Sequence, residues 1–191
     1  MGMRKESLEI GGQPILEHIL ESLGWPGPTL LVSAPSHRHP PGWRRFFSEV
    51  SDAVEGEGPL RGVLTAIEDM TTECGVICPV DMPALGAEPL QWMADRLPAR
   101  PGAHGVMLRR RVGSECRTEP FPFACRKSAA GAIAGQLASG ERSLHSLLSL
   151  PGFALEDAPG HWSERVWLNL NTPEDYAAFA NRLASASESG G

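Results

Sequence analysis

The stretch that decides the fold prediction is Gly75-Val76-Ile77-Cys78-Pro79-Val80-Asp81. Its nearly continuous apolar character is typical of a strand buried on both faces, as in a parallel sheet. Two further apolar runs of strand length lie at residues 29–34 and 105–108. The sequence therefore predicts a sheet that contains this stretch as a buried strand.

Helical patterns alternate with these strands. Apolar residues recur at helical spacing between Pro14 and Leu23, and Gly24 then ends the helix. Further helices are predicted at 43–50, from the turn at 58–62 through Ile67, and at 87–97, 128–137, 143–150 and 173–183. The alternation predicts an α/β fold of three layers with a mostly parallel sheet.

The size of the chain suits one domain. With 191 residues it can bury a full hydrophobic core. We expect a single domain over residues 1–184. The remaining segment, 185–191, contains Ser, Gly and Glu and is expected to be a disordered tail.

Charge and composition exclude several classes of partner. The net charge of -6 disfavours nucleic acid, because binding to a phosphate backbone needs a surplus of Lys and Arg. A single nucleotide is compatible with this charge, since one helix N-terminus and one lysine can hold it. No apolar stretch approaches the roughly 20 residues that cross a membrane. The four cysteines lack the spacing of a zinc or redox pair and are interpreted as thiols of a reducing cytoplasm.

Asp81 is the most informative candidate site. It ends the apolar strand, and Met82-Pro83 follows it. Ligands of open α/β sheets bind beyond the carboxyl ends of the strands, where a carboxylate can hold Mg²⁺ against substrate phosphates. From position alone, a role as the cap of a following helix or turn is about equally plausible.

Two further motifs combine structural and binding signals. Gly58-Pro59-Leu60-Arg61-Gly62 is typical of a stiff turn into a helix, where backbone N–H groups can face a base or phosphate, although a plain connection is the commoner case. In Asn169-Leu170-Asn171-Thr172-Pro173-Glu174-Asp175, Thr172 and Asp175 are typical of a helix start. Capping does not require two asparagines around a leucine; in a strand both amides would point the same way, toward a ligand.

These three motifs, in this order, resemble molybdenum cofactor guanylyltransferases. The resemblance also includes Glu119-Pro120-Phe121 with Cys125-Arg126, Gly140-Glu141-Arg142-Ser143-Leu144, and an N-terminal Arg4-Lys5 followed by Gly11-Gly12-Gln13-Pro14. It covers nearly the whole chain. It implies a Rossmann-like nucleotidyltransferase fold and transfer of GMP from GTP to molybdopterin with Mg²⁺.

The resemblance also implies roles for individual residues. Lys5 matches a lysine that contacts the GTP phosphates, and Asp52 matches a nucleotide-contacting aspartate. Asp81 matches the Mg²⁺ and GTP ligand. Asn169 and Asn171 match an asparagine pair near the pterin. Molybdoenzyme clients or other cofactor-biosynthesis proteins are further candidate partners.

The sequence departs from the family pattern at the N-terminus. The family begins with a strand and a Leu-Ala-Gly-Gly-type loop, which this chain lacks before Met1-Gly2. We therefore expect a missing central strand, an unpaired edge or a gap in the sheet, and Lys5 on a mobile tail. Arg4 replaces an acidic residue, and Pro35 stands where some members have a nucleotide-contacting Asn.

Alternatives remain open at this point. The chain could be a truncated, non-catalytic cofactor-binding relative, or a nucleotidyltransferase with another acceptor, through cytidylyl transfer to the same cofactor or transfer to a sugar phosphate. Two other features are given little weight. His37 and His39 lack a third metal ligand nearby, and the Arg109-Arg110-Arg111 run is interpreted as a charged strand end or loop.

Overall fold

The computed structural model of the protein describes residues 5–188. Within these residues, five α-helices are found: α1 (Ile15–Leu23), α2 (Pro59–Asp69), α3 (Ala87–Arg96), α4 (Ala130–Ala138) and α5 (Pro173–Glu188). The strands are β1 (Glu9–Ile10), β2 (Gln13–Pro14), β3 (Leu30–Ser33), β4 (Ser48–Ser51), β5 (Cys74–Ile77), β6 (Gly105–Val112), β7 (Glu115–Arg126) and β8 (Phe153–Asp157). None of the helices in the described part combines the length and hydrophobicity needed to traverse a bilayer.

The α/β class with three layers is confirmed. On one face of the central sheet, Met107 and Phe123 pack against α2 and α4. On the other face, Val106, Leu108 and Ala124 pack against α3. Successive residues of β6 therefore bury their side chains in opposite layers, as the two-residue period of a strand requires.

The sheet is mixed rather than mostly parallel. The strand order is β5-β7-β6-β8, and β7 runs antiparallel to both of its neighbours, whereas β6 and β8 are parallel. The reason is local: β6 and β7 are joined by a short turn at Gly113, which has a positive φ of 61°. Strands joined by such a hairpin must pair in opposite directions.

The prediction of a helix at residues 43–50 is wrong. Trp43–Arg45 forms a single 3-10 turn, and β4 follows it and pairs in parallel with β3. Pairing with the edge of β3 satisfies backbone groups that a marginal helix would leave to water, so tertiary context overrides the local pattern. Residues 143–150 likewise form a 3-10 helix, Leu144–Ser149, rather than an α-helix.

The expected gap in the sheet is present. The pair β3-β4 is a sheet of its own, separate from the four-stranded sheet. Within the described residues, β3 pairs only with β4 and β5 pairs only with β7, so the other edge of each of these two strands is unpaired. Both strands line one cavity of about 520 Å³, and residues of α1, α2 and α3 also line it. Its lining is mostly apolar and includes Leu16, Val63 and Leu90.

At the C-terminus, α5 continues to Glu188. Residues 185–188 are therefore helical where a disordered tail was expected, and residues 189–191 lie outside the described part of the chain.

Candidate functional site

Three residues that are far apart in sequence converge beyond the end of β5. The Lys5 ammonium donates to Asp81 Oδ2 at 2.7 Å and to Asn171 Oδ1 at 2.9 Å. The Lys5 side chain is 29% exposed and that of Asp81 is 21% exposed. The three polar groups therefore form a connected cluster that solvent and ligands can reach.

Asp81 lies in a turn and not on the strand itself. The strand β5 ends at Ile77, because Pro79 has no N–H to continue the ladder. The chain then turns, and the backbone N–H of Met82 donates to the carbonyl of Pro79 at 3.3 Å. The prediction that the strand runs to Asp81 is thus wrong by four residues, although Asp81 still follows the carboxyl end of β5.

Lys5 is held in place and not on a mobile tail. It begins a 3-10 turn, Lys5–Ser7, and its carbonyl accepts from the N–H of Leu8 at 3.2 Å. Leu8 and Ile10 are buried in a cluster with α1 and α5. This apolar anchor fixes the backbone close to Lys5 and reduces the entropy lost when its ammonium binds an anion.

Asn171 is positioned by the start of α5. The hydroxyl of Thr172 accepts from the N–H of Asp175 at 3.1 Å, and Asp175 Oδ2 accepts from the N–H groups of Thr172 and Asn171 at 2.9 and 3.0 Å. This reciprocal arrangement is a capping box, as expected. The pKa of Asp175 is lowered, first by the N–H of Thr172, then by the Thr172 hydroxyl and the N–H of Asn171, and also by the charge of Lys5.

The two asparagines have different surroundings. Residues 168–171 form neither a helix nor a strand in the structure. Leu170 between them is buried, and Asn169 Nδ2 donates to the carbonyl of Trp167 at 3.1 Å. Of the two asparagines, only Asn171 accepts a hydrogen bond from Lys5, which also binds Asp81. The expectation of a strand that presents both amides alike is therefore wrong for this segment.

Asp52 approaches the first turn of α2. It follows β4, and its N–H donates to the carbonyl of Ser33 at 2.9 Å. Its Oδ1 is buried and has no hydrogen-bond partner within residues 5–188. A methyl group added at Gly62 would lie 3.8 Å from Asp52 Oδ2. A buried carboxylate oxygen without a donor is an acceptor available to a ligand.

The 58–62 turn enters α2 through a backbone that only glycine adopts readily. Gly58 has φ 76° and ψ -176°, and Pro59 is the first helical residue. In the described part of the chain, no side chain caps this helix. The N–H of Leu60 donates to the backbone carbonyl of Arg142 at 3.4 Å, so one free N–H of the helix start is already engaged.

Arg142 is a site residue for which the sequence analysis predicts no role. Its guanidinium donates to the carbonyl of Leu137 at 2.9 Å and to Glu57 Oε1 at 3.4 Å. Glu57 also accepts from Arg61 at 2.6 Å. The segment 140–144 therefore contacts the 58–62 turn and stabilises it. The co-occurrence of the two motifs in the resemblance was the available signal.

The cavity connects these features. Asp52, Gly58, Pro59 and Gly62 line it, and so do the residues 78–80 that lead to Asp81. Cys78 lies on the same wall, and burial raises the pKa of its thiol to about 12, so that it is a neutral thiol. All four cysteines are free.

The histidine-rich loop holds no metal cluster. His37 Nδ1 lies 3.0 Å from Glu6 Oε1, and His39 Nε2 lies 3.5 Å from Glu49 Oε2. Across the part of the chain that the structure describes, no group of three or more His, Cys, Asp or Glu residues could hold a metal ion. A cation at Asp81 would need substrate phosphates to complete its coordination, which is how Mg²⁺ is commonly bound.

Comparisons with known proteins agree with this architecture. A molybdenum cofactor guanylyltransferase from Cereibacter sphaeroides is 29% identical over 188 residues, which cover 95% of this chain and 89% of that protein. Molybdopterin-guanine dinucleotide biosynthesis protein A from Archaeoglobus fulgidus has a TM-score of 0.76 at 20% identity, over 97% of this chain and 92% of that one. The 2-C-methyl-D-erythritol 4-phosphate cytidylyltransferase from Thermus thermophilus has a TM-score of 0.67 at 17% identity, over 95% and 94% of the two chains.

The two solved structures confirm the nucleotidyltransferase fold. The sequence profile of one family, described as the MobA-like NTP transferase domain, matches residues 1–158. The match covers most of the chain, and this protein therefore belongs to the MobA-like NTP transferase domain family, whose members are nucleotidyltransferase enzymes.

Proposed function

We propose that the protein transfers GMP from GTP to molybdopterin in the cytoplasm. The family membership and the relatives named molybdenum cofactor guanylyltransferase support this proposal. The single structural observation that carries it is the convergence of Lys5, Asp81 and Asn171 beyond β5. A cation, a carboxylate and an amide oxygen at one point suit the binding of a triphosphate with a divalent metal.

The reaction is a displacement at the α-phosphorus of GTP. An oxygen of the molybdopterin phosphate forms a bond to that phosphorus, the bond to the α,β-bridging oxygen breaks, and pyrophosphate leaves with the electron pair. Asp81 would hold Mg²⁺, which supplies charge neutralisation when bound. Lys5 would steady the phosphates through its ammonium. Phosphoryl transfer of this kind needs positioning and charge stabilisation more than proton transfer.

The nucleoside would bind beside Asp52 and the 58–62 turn. Asp52 offers an acceptor that has no hydrogen-bond partner among residues 5–188, and base or ribose N–H and O–H groups could donate to it. Gly58, Pro59, Leu60 and Gly62 form a turn without bulky side chains at its glycines, so a flat base can approach the backbone. Asn169 is proposed to face the pterin, whereas the contact of Asn171 with Lys5 favours a place for Asn171 at the phosphates.

Label transfer tests this proposal. The protein is incubated with Mg²⁺, molybdopterin and GTP labelled at the α-phosphate, and the pterin fraction is analysed for label. We expect slow transfer that is specific for GTP over CTP and absent in Asp81→Asn. Transfer from CTP alone would establish the cytidylyl alternative. Tight pterin binding without transfer from either nucleotide would establish a non-catalytic binding protein.

A further inference from the structure

We infer that the Lys5 ammonium occupies the divalent-cation position in the ligand-free protein and that Asn171 is the second protein ligand of that position. Lys5 and a metal ion then compete for the same two oxygens until a triphosphate draws Lys5 away. This inference rests on the proposed function, because it assumes that Asp81 holds the cation.

The first argument is geometric. Asp81 Oδ2 and Asn171 Oδ1 both lie within 3 Å of one atom, Lys5 Nζ. An ammonium carries only donors, so Asn171 must present its amide oxygen here, whichever way the amide would otherwise turn. Two oxygens directed at one positive centre are the start of a coordination sphere for a hard cation. Shortening each distance by less than about 1 Å reaches the Mg²⁺–O range.

The second argument is that backbone hydrogen bonds hold the two segments that carry these oxygens. The N–H of Leu170 donates to the carbonyl of Asp81 at 2.8 Å, which ties the Asn171 segment to the Asp81 turn. The capping box of Asp175 fixes the N–H of Asn171. The two ligands therefore keep their separation when Lys5 leaves, and the site does not depend on Lys5 for its shape.

The third argument concerns charge. With Lys5 in place, the negative charge of Asp81 is already compensated, and an incoming divalent ion also meets a positive ammonium. A nucleoside triphosphate carries several negative charges and is a stronger partner for Lys5 than one carboxylate. When Lys5 turns to the phosphates, Asp81 and Asn171 are released. The metal is therefore expected to bind weakly alone and strongly together with the nucleotide.

The competing explanation is a purely structural ion pair. In that case Lys5 fastens the N-terminal segment to the β5 turn, and its removal lowers stability without strengthening metal binding. The two explanations predict different changes in metal affinity when Lys5 is replaced, so a measurement of metal affinity distinguishes them.

The test is a titration with Mn²⁺ alone, in which the EPR signal of free Mn²⁺ measures how much of the ion is bound. Removing the Lys5 charge in Lys5→Met, or in Lys5→Gln as a second variant that keeps a donor for Asp81, should raise Mn²⁺ affinity at least about fivefold. Lys127→Met is the matched control, because Lys127 is exposed and is the other lysine of the chain. It should leave the affinity unchanged.

Variants of the two ligands complete the test. Asn171→Ala should lower Mn²⁺ affinity, Asn171→Asp should raise it, and Asp81→Asn should abolish specific binding.

If Asp81→Asn abolishes binding but the Lys5 variants do not raise Mn²⁺ affinity, the competition between Lys5 and the metal is refuted, while the role of Asp81 stands. If the Asn171 variants alone leave the Mn²⁺ affinity unchanged, Asn171 is not a ligand of the metal. If Asp81→Asn itself binds Mn²⁺ normally, the proposed function fails at its metal site. GTP affinity measured with Mg²⁺ should fall in Lys5→Met, opposite in sign to its effect on Mn²⁺.

Discussion

The backbone N–H of Leu170 donates to the backbone carbonyl of Asp81 over 2.8 Å. This one bond joins the segment before α5 to the turn after β5. It explains why Asn171 and Asp81 reach the same ammonium although they are distant in sequence. Because the bond uses only backbone atoms, side-chain substitutions at either position should leave the arrangement of the two segments intact.

The first prediction concerns Asp81→Asn. The substitution removes a charge but hardly changes volume, so the free energy of unfolding should change little. Mg²⁺-dependent binding of GTP should be lost, since the substitution replaces the negatively charged ligand of the cation with a neutral amide. Calorimetric titration of GTP with and without Mg²⁺ measures this. Asp157→Asn is the control, because Asp157 is 72% exposed and pairs with Arg109 away from β5. Equal titrations for both variants would refute the role of Asp81.

The second prediction compares two glycines of one turn. Gly58→Ala should destabilise the protein by about 1–3 kcal/mol, because Gly58 has a backbone conformation that alanine avoids. Gly62→Ala should raise stability by up to about 1 kcal/mol, since alanine favours helix and the new methyl meets only Asp52 at 3.8 Å. Chemical denaturation gives both values. GTP affinity should nevertheless fall in Gly62→Ala, because the methyl narrows the space beside Asp52.

The third prediction is a pH dependence from the capping box. The folded state lowers the pKa of Asp175 below its ordinary value of 3.8. A lowered pKa means that the ionised carboxylate stabilises the fold above the ordinary value, and that this contribution is lost as pH falls through the folded pKa. The stability difference between the natural protein and Asp175→Asn should therefore be constant above about pH 5 and shrink below the ordinary value of 3.8. A difference that stays the same as the pH falls well below that value would contradict this account.

Local patterns predicted some elements well and others poorly. The apolar spacing at α1, the turn into α2 and the caps of α5 are local signals, and these elements are found near the predicted positions. The strand β7 was not predicted, because Pro120 and Pro122 and its charged residues hide its period, and only pairing with β5 and β6 specifies it. The resemblance named Lys5, Asp81 and Asn171 separately. Their meeting depends on contacts between distant segments, which no window of sequence encodes.

The fourth prediction follows from the cavity between β3 and β5. Each of these strands presents an unpaired edge, within the described chain, to the same mostly apolar space. Backbone N–H and C=O groups along such edges favour a further strand over a small ligand, because only a polypeptide can pair with them along their length. Helices cover both sides of the space, so the added strand should be apolar on both faces.

The polypeptide of residues 1–191 should accordingly bind GTP weakly and turn it over slowly. Joining an apolar strand of about five residues, with a Gly-rich loop, ahead of Met1 should raise both the melting temperature and the GTP affinity. The strand would pair between β3 and β5 and leave the cavity at the end near Lys5, where the loop N–H groups can surround the phosphates. The control carries a proline in the middle of the same strand, which cannot complete the ladder and should restore neither property. Hydrogen exchange should show new protection at Leu31 and Val76 only with the intact strand. Robust turnover by residues 1–191 alone would overturn the prediction, because the phosphates would then be held without any added loop.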